Sequence, residues 1–169
     1  WRGMEESGGR RIKRSINIDQ SSVGFMEPIL KEKLEKFKLL SDHFLIKEKE
    51  IEDANHLLGG DKVNHRRLTN IGVFRAYILE YLKNHDEINN DLTMMVRQLP
   101  PTSMGLPLEV YAFTSSVEWT EYEAVQSDIF DHLLAIVSIF DLKLTQAPSG
   151  SDIKSLGYNI KQNSKNINE

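Results

Sequence analysis

Four cations, Arg10, Arg11, Lys13 and Arg14, follow directly on the glycine pair Gly8-Gly9 in the stretch MEESGGRRIKRS (4–15). Such a stretch could cradle a phosphate, bind a nucleic acid or a membrane surface, or join two structural units. A Walker-type phosphate loop sets its glycines between a strand and a helix and ends in Lys-Ser/Thr. Here the glycines precede an alternating, strand-like segment, so anion cradling does not fit. A basic patch for RNA or a membrane surface is the stronger rival. Against it, Glu5 and Glu6 adjoin the cluster, and strand alternation separates Arg11 and Lys13 from Arg14. What remains is a glycine joint that leads into a solvated strand.

The other reactive side chains are dispersed. His43, His56, His65, His85 and His132 show no HExxH or other tight ligand spacing. Asp128, Asp131 and His132 fall near one helix face as the one local carboxylate–imidazole grouping, and surface ion pairing is the ordinary role of such a set. Glu118, Glu121 and Glu123 crowd a helix start, where negative charge suits the dipole. No serine stands in a nucleophile elbow. A chain with no cysteine has no disulfide, thiolate metal site or cysteine nucleophile. These patterns predict no enzyme, no catalytic residue, no metal and no cofactor.

At 169 residues the chain can bury one domain core with an appended element. A hydrophobic content of 40% and a charged content of 27% are globular values. The net charge of -4 argues against a dedicated nucleic-acid binder, whose domain is usually basic. No apolar run approaches the roughly 18 residues that span a bilayer, and no signal-peptide pattern is present. The sequence opens on Trp1 rather than Met, as expected of a piece of a longer polypeptide.

Elements must position these residues. In RIKRSINID (11–19), Ile12, Ile16 and Ile18 share one parity, which predicts a strand with one buried face, interrupted by Arg14. From Met26 to about Asn55 the spacing of Leu30, Leu34, Phe37, Phe44, Ile51 and Ala54 turns helical. Ser41-Asp42 suits a cap, so two helices are expected there. Gly59-Gly60 reads as their C-terminal stop and 59–70 as a polar connector. Asn70 is the expected cap of a helix through Ile71, Phe74, Ile78 and Leu82 that closes near His85. Strands are expected at 92–99 and 108–114 around the turn PPTSMGLP. Ser115 or Ser116 would then cap a helix from Trp119 to Phe140, before a last strand over 142–148 that Pro148 stops. Apart from the insert, this order is the split βαβ of a ferredoxin-like α+β sandwich. LEVYAFT (108–114) is apolar on both faces, with Leu108, Val110 and Ala112 on one and Tyr111 and Phe113 on the other. Those two aromatics would pack on the insert or on a neighbouring subunit. An RNA-binding sheet of the RRM kind lacks its glycine–aromatic RNP1 signature here.

WRGMEESGGRRIKRS (1–15), NHRRLTNIGVFRAYILEYLKNH (64–85), MMVRQLPPTSMGLPLEVYAFTSSVEWTEYEAVQSDIFDHLLA (94–135) and TQAPSG (145–150) resemble the cytoplasmic C-terminal region of MscS-family mechanosensitive channels. Within that family they are most similar to the miniconductance (YbdG-type) branch. The resemblance implies that residues 1–10 are the trailing edge of an Sm-like β domain and its joint. Residues 11–150 would be the C-terminal α/β domain, with a branch-typical helical insertion at about 26–58, and 151–169 a flexible tail. It implies a cytoplasmic cage, or vestibule, that assembles as a homo-oligomer, a heptamer in the best-known members. Ions and small solutes pass through such a cage during osmotic stress, on the cytoplasmic side of a bacterial inner membrane. Arg10, Arg11 and Lys13 would then set charge near a portal or the vestibule, and Tyr111 and Phe113 would lie at a subunit interface, with no nucleic-acid partner. A stand-alone ferredoxin-like module for RNA or a small molecule is the alternative. The channel reading predicts several apolar segments of roughly 20 residues encoded upstream of Trp1. Sequencing that region checks it, and a reading frame opening near residue 1 would overturn it.

Overall fold

A computed structural model describes residues 8–58, 66–146, 154–157 and 160. It is an α+β sandwich built on a three-stranded antiparallel sheet of order β1-β3-β2. The strands are β1 (Arg10–Ile18), β2 (Met95–Gln98) and β3 (Leu106–Thr114), and the helices are α1 (Pro28–Glu35), α2 (Ser41–His56), α3 (Asn70–Lys83) and α4 (Trp119–Ile136). The alternation in β1 does what its period of two requires. Ile12, Ile16 and Ile18 are buried, and so are Leu106, Leu108, Val110 and Ala112, their register partners or neighbours on β3. Arg14 breaks the apolar row but not the packing, because its guanidinium lies 4.5 Å from the ring centroid of Phe130 on α4.

The entry to β1 explains the glycine pair. Gly8 holds φ at +75°, a left-handed value that costs a side-chain-bearing residue. A Cβ on Gly9 would stand 2.3 Å from the carbonyl oxygen of Thr114. Asn89 secures the turn by donating from Nδ2 to the Gly8 carbonyl at 3.1 Å and from its backbone N–H to the Phe113 carbonyl at 2.8 Å. No helix N-terminus follows these glycines; a strand does.

The expected last strand is reduced. Leu144 makes an isolated antiparallel bridge to Ile18, flanked by bonds from Asp19 N–H to the Lys143 carbonyl (2.7 Å) and from Thr145 N–H to the Asn17 carbonyl (2.9 Å). The segment therefore runs beside β1 on the edge opposite β3. This gives the spatial order of a ferredoxin-like sheet with a vestigial fourth member. Ala147 to Gly150 and most of the expected tail lie outside the described residues; 154–157 are helical and exposed. The 92–99 strand is also shorter than expected, at Met95–Gln98.

Three caps differ from expectation. Thr69, not Asn70, is the N-cap of α3, its hydroxyl accepting from Gly72 N–H at 3.1 Å. Glu118, not Ser115 or Ser116, caps α4, its carboxylate accepting from the N–H groups of Thr120 (3.2 Å) and Glu121 (2.8 Å). Ser41 lies inside α2 as its first residue, and its hydroxyl donates to the Lys38 carbonyl at 3.0 Å. Gly59 and Gly60, the expected stop of α2, fall outside the described residues; α2 ends at His56.

Asn70 is freed from capping for another role. It is 4% exposed. Its Oδ1 accepts from Gly24 N–H (3.0 Å) and Ile71 N–H (2.8 Å), while Nδ2 donates to the carbonyls of Ser22 (2.9 Å) and Asp141 (3.4 Å). Beside it, Asn70 N–H donates to the Gly24 carbonyl (3.0 Å) and Met26 N–H to the Leu68 carbonyl (2.8 Å). The insert thus leaves and rejoins the sandwich through one short ladder. It is no loose appendage: Leu30, Leu34, Leu40 and Phe44 are core residues, and the Phe37 ring lies 5.8 Å from that of Tyr77 and 6.3 Å from that of Phe140. Replacing Asn70 by Ala removes the hydrogen bonds of a buried amide and leaves the buried Ile71 N–H without its partner, and denaturant unfolding should show a loss of about 1–3 kcal/mol. Asn70→Asp should not rescue it, since Asp lacks the two Nδ2 donors.

The open face of the sheet as candidate functional site

Helices α3 and α4 cover one face of the sheet. The strand register decides what the other face shows. Arg11 stands opposite Phe113, Lys13 opposite Tyr111 and Ser15 opposite Glu109, while on the far side Met95 faces Tyr111 and Arg97 faces Glu109. Tyr111 and Phe113 are half-buried, form an edge-to-face pair with centroids 5.7 Å apart, and do not belong to the core cluster. Arg11 sits 6.0 Å from the Tyr111 centroid, at the outer reach of a cation–π contact, and both Arg11 and Lys13 are exposed.

The face therefore unites four of the five residues singled out from the sequence. Arg10 is the exception. It has the parity of Ile12, points to the helix side, and lies 4.5 Å from the ring of Tyr122 on α4, whose hydroxyl donates to the Arg11 carbonyl at 2.8 Å. The insert does not cover Tyr111 and Phe113, contrary to one of the two expectations for them. Phe37 and Leu40 of the insert dock on α3 and on the turn Val137–Phe140, on the helix side.

A charged pair on this face escaped the sequence reading. Glu109 is 5% exposed, and its Oε1 accepts from Arg97 Nε at 2.8 Å. An unpaired carboxylate at that depth would be costly, and the guanidinium offsets part of that cost. Part of the signal was available: Glu109 has the parity of Tyr111, and a hairpin closed by PPTSMGLP brings the strand of Arg97 beside it, but the register that pairs the two comes from the fold. The cations of the face thus number three, Arg11, Lys13 and Arg97, against one carboxylate.

The local carboxylate–imidazole grouping resolves into packing. Nε2 of His132 lies 2.7 Å from the Tyr77 hydroxyl, and the imidazole stacks on Tyr81 at 4.4 Å, 11° from parallel. Asp128 and Asp131 remain in solvent. Burial lowers the His132 pKa, with Asp128 opposing it, and burial raises those of Tyr77 and Tyr81. Among the described residues no three His, Asp or Glu side chains gather as a metal site.

A concavity lies between the insert and α3. This groove of about 520 Å³ is lined by Asp42, His43, Ile46, Ala76, Leu79 and Glu80, among others, and the buried Nε2 of His43 has no hydrogen-bond partner. Desolvation lowers the His43 pKa; Lys47 of α2 and Arg75 of α3 act in the same direction, and Glu50 and Glu80 against it. A histidine kept neutral in the fold stabilises fully above its unfolded pKa, about 6.5, and less as pH falls through its lowered folded value. Unfolding followed between pH 8 and pH 5 should therefore show stability falling on the acid side. His43→Gln should flatten part of that slope, leaving the share due to His132.

The strand order and the two helices on one face define a ferredoxin-like α+β sandwich. No protein-family model matches the chain. Over 67 residues it is 33% identical to the low conductance mechanosensitive channel YnaI of Escherichia coli (strain K12). That stretch is 40% of this chain and 20% of the relative, so the chain spans about a fifth of the relative's length. The similarity supports the MscS-family resemblance in its coarse form, as kinship with a mechanosensitive channel. It does not reach the miniconductance branch or the placement of the segment within a channel. No helix among the described residues is long and apolar enough to cross a membrane.

Proposed function

We propose that this chain is the cytoplasmic cage domain of a mechanosensitive ion channel of the MscS family, in its miniconductance branch, with no enzymatic activity. The observation that carries the reading is the similarity to a low conductance mechanosensitive channel. The open sheet face adds to it. An aromatic pair left out of the core, ringed by cations, suits a surface that is covered on assembly, because isolated domains seldom leave such apolar area to water. In this reading several copies close a vestibule on the cytoplasmic side of a bacterial inner membrane. Membrane segments elsewhere in the polypeptide sense tension, and ions reach the pore through openings between domains. Arg11 and Lys13 on the open face, and Arg10 on the helix side, would bias the local potential felt by passing ions.

A second reading has one specific observation in its favour. Tyr111 and Phe113 on an open sheet, with Arg11 and Lys13 next to them, are the side-chain types on which single-stranded nucleic acid stacks. The net charge of -4 weighs against it.

Patch recording of the native polypeptide in a bilayer tests the channel reading. Tension-gated currents are expected, and neutralising Arg10, Arg11 and Lys13 to Gln should shift the reversal potential in asymmetric salt. A polypeptide that conducts nothing under tension would overturn the proposal. Conduction with no shift would remove these three cations from permeation.

A further inference from the structure

Charge in this chain is segregated by face. α4 carries Glu121, Glu123, Asp128 and Asp131, with His132 as its one basic residue, and no lysine or arginine occurs between Arg97 and Lys143. All four of these carboxylate residues are exposed, as is Leu134 among them, and Trp119 at the head of the helix is 62% exposed. On the opposite layer, the open sheet face shows Arg11, Lys13 and Arg97 around Tyr111 and Phe113, with Glu109 as its paired carboxylate. The solvent side of α4 is thus acidic with apolar anchors and the open sheet face cationic with an aromatic shelf, while Arg10 and Arg14 lie on the helix side against Tyr122 and Phe130.

We propose that these two faces bind each other between copies: the solvent side of α4 of one copy seats on the open sheet face of the next. The inference rests on the cage reading and states which surfaces close the cage. Two like faces would oppose like charges, acid to acid or base to base, which disfavours a two-fold contact of either face with itself. Complementary faces on opposite layers give a heterologous contact, the kind that closes a ring when the rotation per copy permits. Trp119 and Leu134 supply apolar anchors on the acidic side, and Tyr111 and Phe113 the matching surface on the other. The carboxylates of α4 then offset part of the charge of Arg11 and Lys13, which find no carboxylate partner among the described ion pairs, so these cations act on passing ions only where the contact borders an opening.

The absence of cysteine from the 169 residues makes the contact testable by cross-linking. Ser15 lies on the open face, opposite Glu109, and Ser127 on the exposed side of α4. Ser15→Cys and Ser127→Cys keep every charge in place, and as the sites are on opposite layers a disulfide between them joins two copies. In the native polypeptide, with any cysteine outside these residues replaced by serine, the double variant should give a ladder of covalent oligomers on mild oxidation. Each single variant should remain monomeric on a denaturing gel. Adding Lys13→Glu or Asp131→Lys should each cut the ladder severalfold, and the two together should restore it. Dimers from Ser15→Cys alone would overturn the pairing in favour of sheet against sheet. An assembled polypeptide, by sedimentation, with no ladder would overturn the pairing and leave the cage reading standing. A polypeptide that sediments as a monomer would overturn both. Salt-sensitive RNA binding that is lost in Tyr111→Ser, with no ladder, would assign the face to nucleic acid instead.

Discussion

Nine consecutive register pairs between β1 and β3 place every side chain that matters, because a pleated strand sends neighbours to opposite faces. A slip by one residue would drive Arg11 and Lys13 into the helices and push Ile12 and Ile16 into water. The register is held at both ends by different means. At the Arg10 end, Gly9 approaches the Thr114 carbonyl more closely than any side-chain-bearing residue could, and Asn89 ties the Gly8 and Phe113 carbonyls. At the Ile18 end, Asp19 and Asn17 bond the 142–146 segment. The opening glycines are thus part of the mechanism that sets which cations face outward. Their function is geometric, and the electrostatic consequence is borne by the residues after them.

The helical insert depends on the same frame at a second point. A single amide, Asn70, bonds the loop before the insert, the first turn of α3 and the turn after the Val137–Phe140 helix. Asp141, in that turn, is left-handed with φ of 55°, and its carbonyl is one of the Asn70 acceptors. The insert's own apolar residues then enter the core on the helix side, where Phe37 joins Phe74, Tyr77 and Phe140 in one aromatic cluster. None of the described elements covers the sheet's other face. Loss of the insert's packing would expose Tyr77 and Phe140 without changing the chemistry of the open face.

Much of this was legible in the residues alone. The period of two in β1 and the two-sided apolarity of LEVYAFT carry the sheet, since both follow from strand geometry without reference to distant contacts. Helix caps were misplaced because local rules rank Asn and Ser highly wherever they occur. Other contacts decided otherwise: Asn70 is needed by the loops at Ser22, Gly24 and Asp141, so Thr69 caps; Ser116 Oγ is taken by the local bond from Glu118 N–H, and Glu118 caps. The last strand was overdrawn since Leu142 and Leu144 alternate like a strand although only Leu144 bridges to β1. The Arg97–Glu109 pair was missed because it exists only once the hairpin register is known. His132 looked like part of a charged site because Asp128 and Asp131 stand near it in sequence, whereas its partners, Tyr77 and Tyr81, come from another helix.

Net charge hides what the faces reveal. A total of -4 would suggest a mildly acidic, self-repelling surface. The distribution is instead polar in the electrical sense, with cations on the sheet side and carboxylates on α4. Exposed ion pairs within one copy, such as Lys47–Glu50 at 2.9 Å and Lys83–Glu80 at 3.4 Å, are screened and contribute little. Opposite charges aligned face to face across a contact between copies would act together, and they would also set which orientation is allowed. An acidic chain can therefore present a cationic face without binding nucleic acid, provided that the acidity is displaced to the surface that meets it. Arg10 and Arg14 are the exceptions to this division, since both are turned to the helix side and held over Tyr122 and Phe130, and only the outward parity of the basic run contributes to the open face.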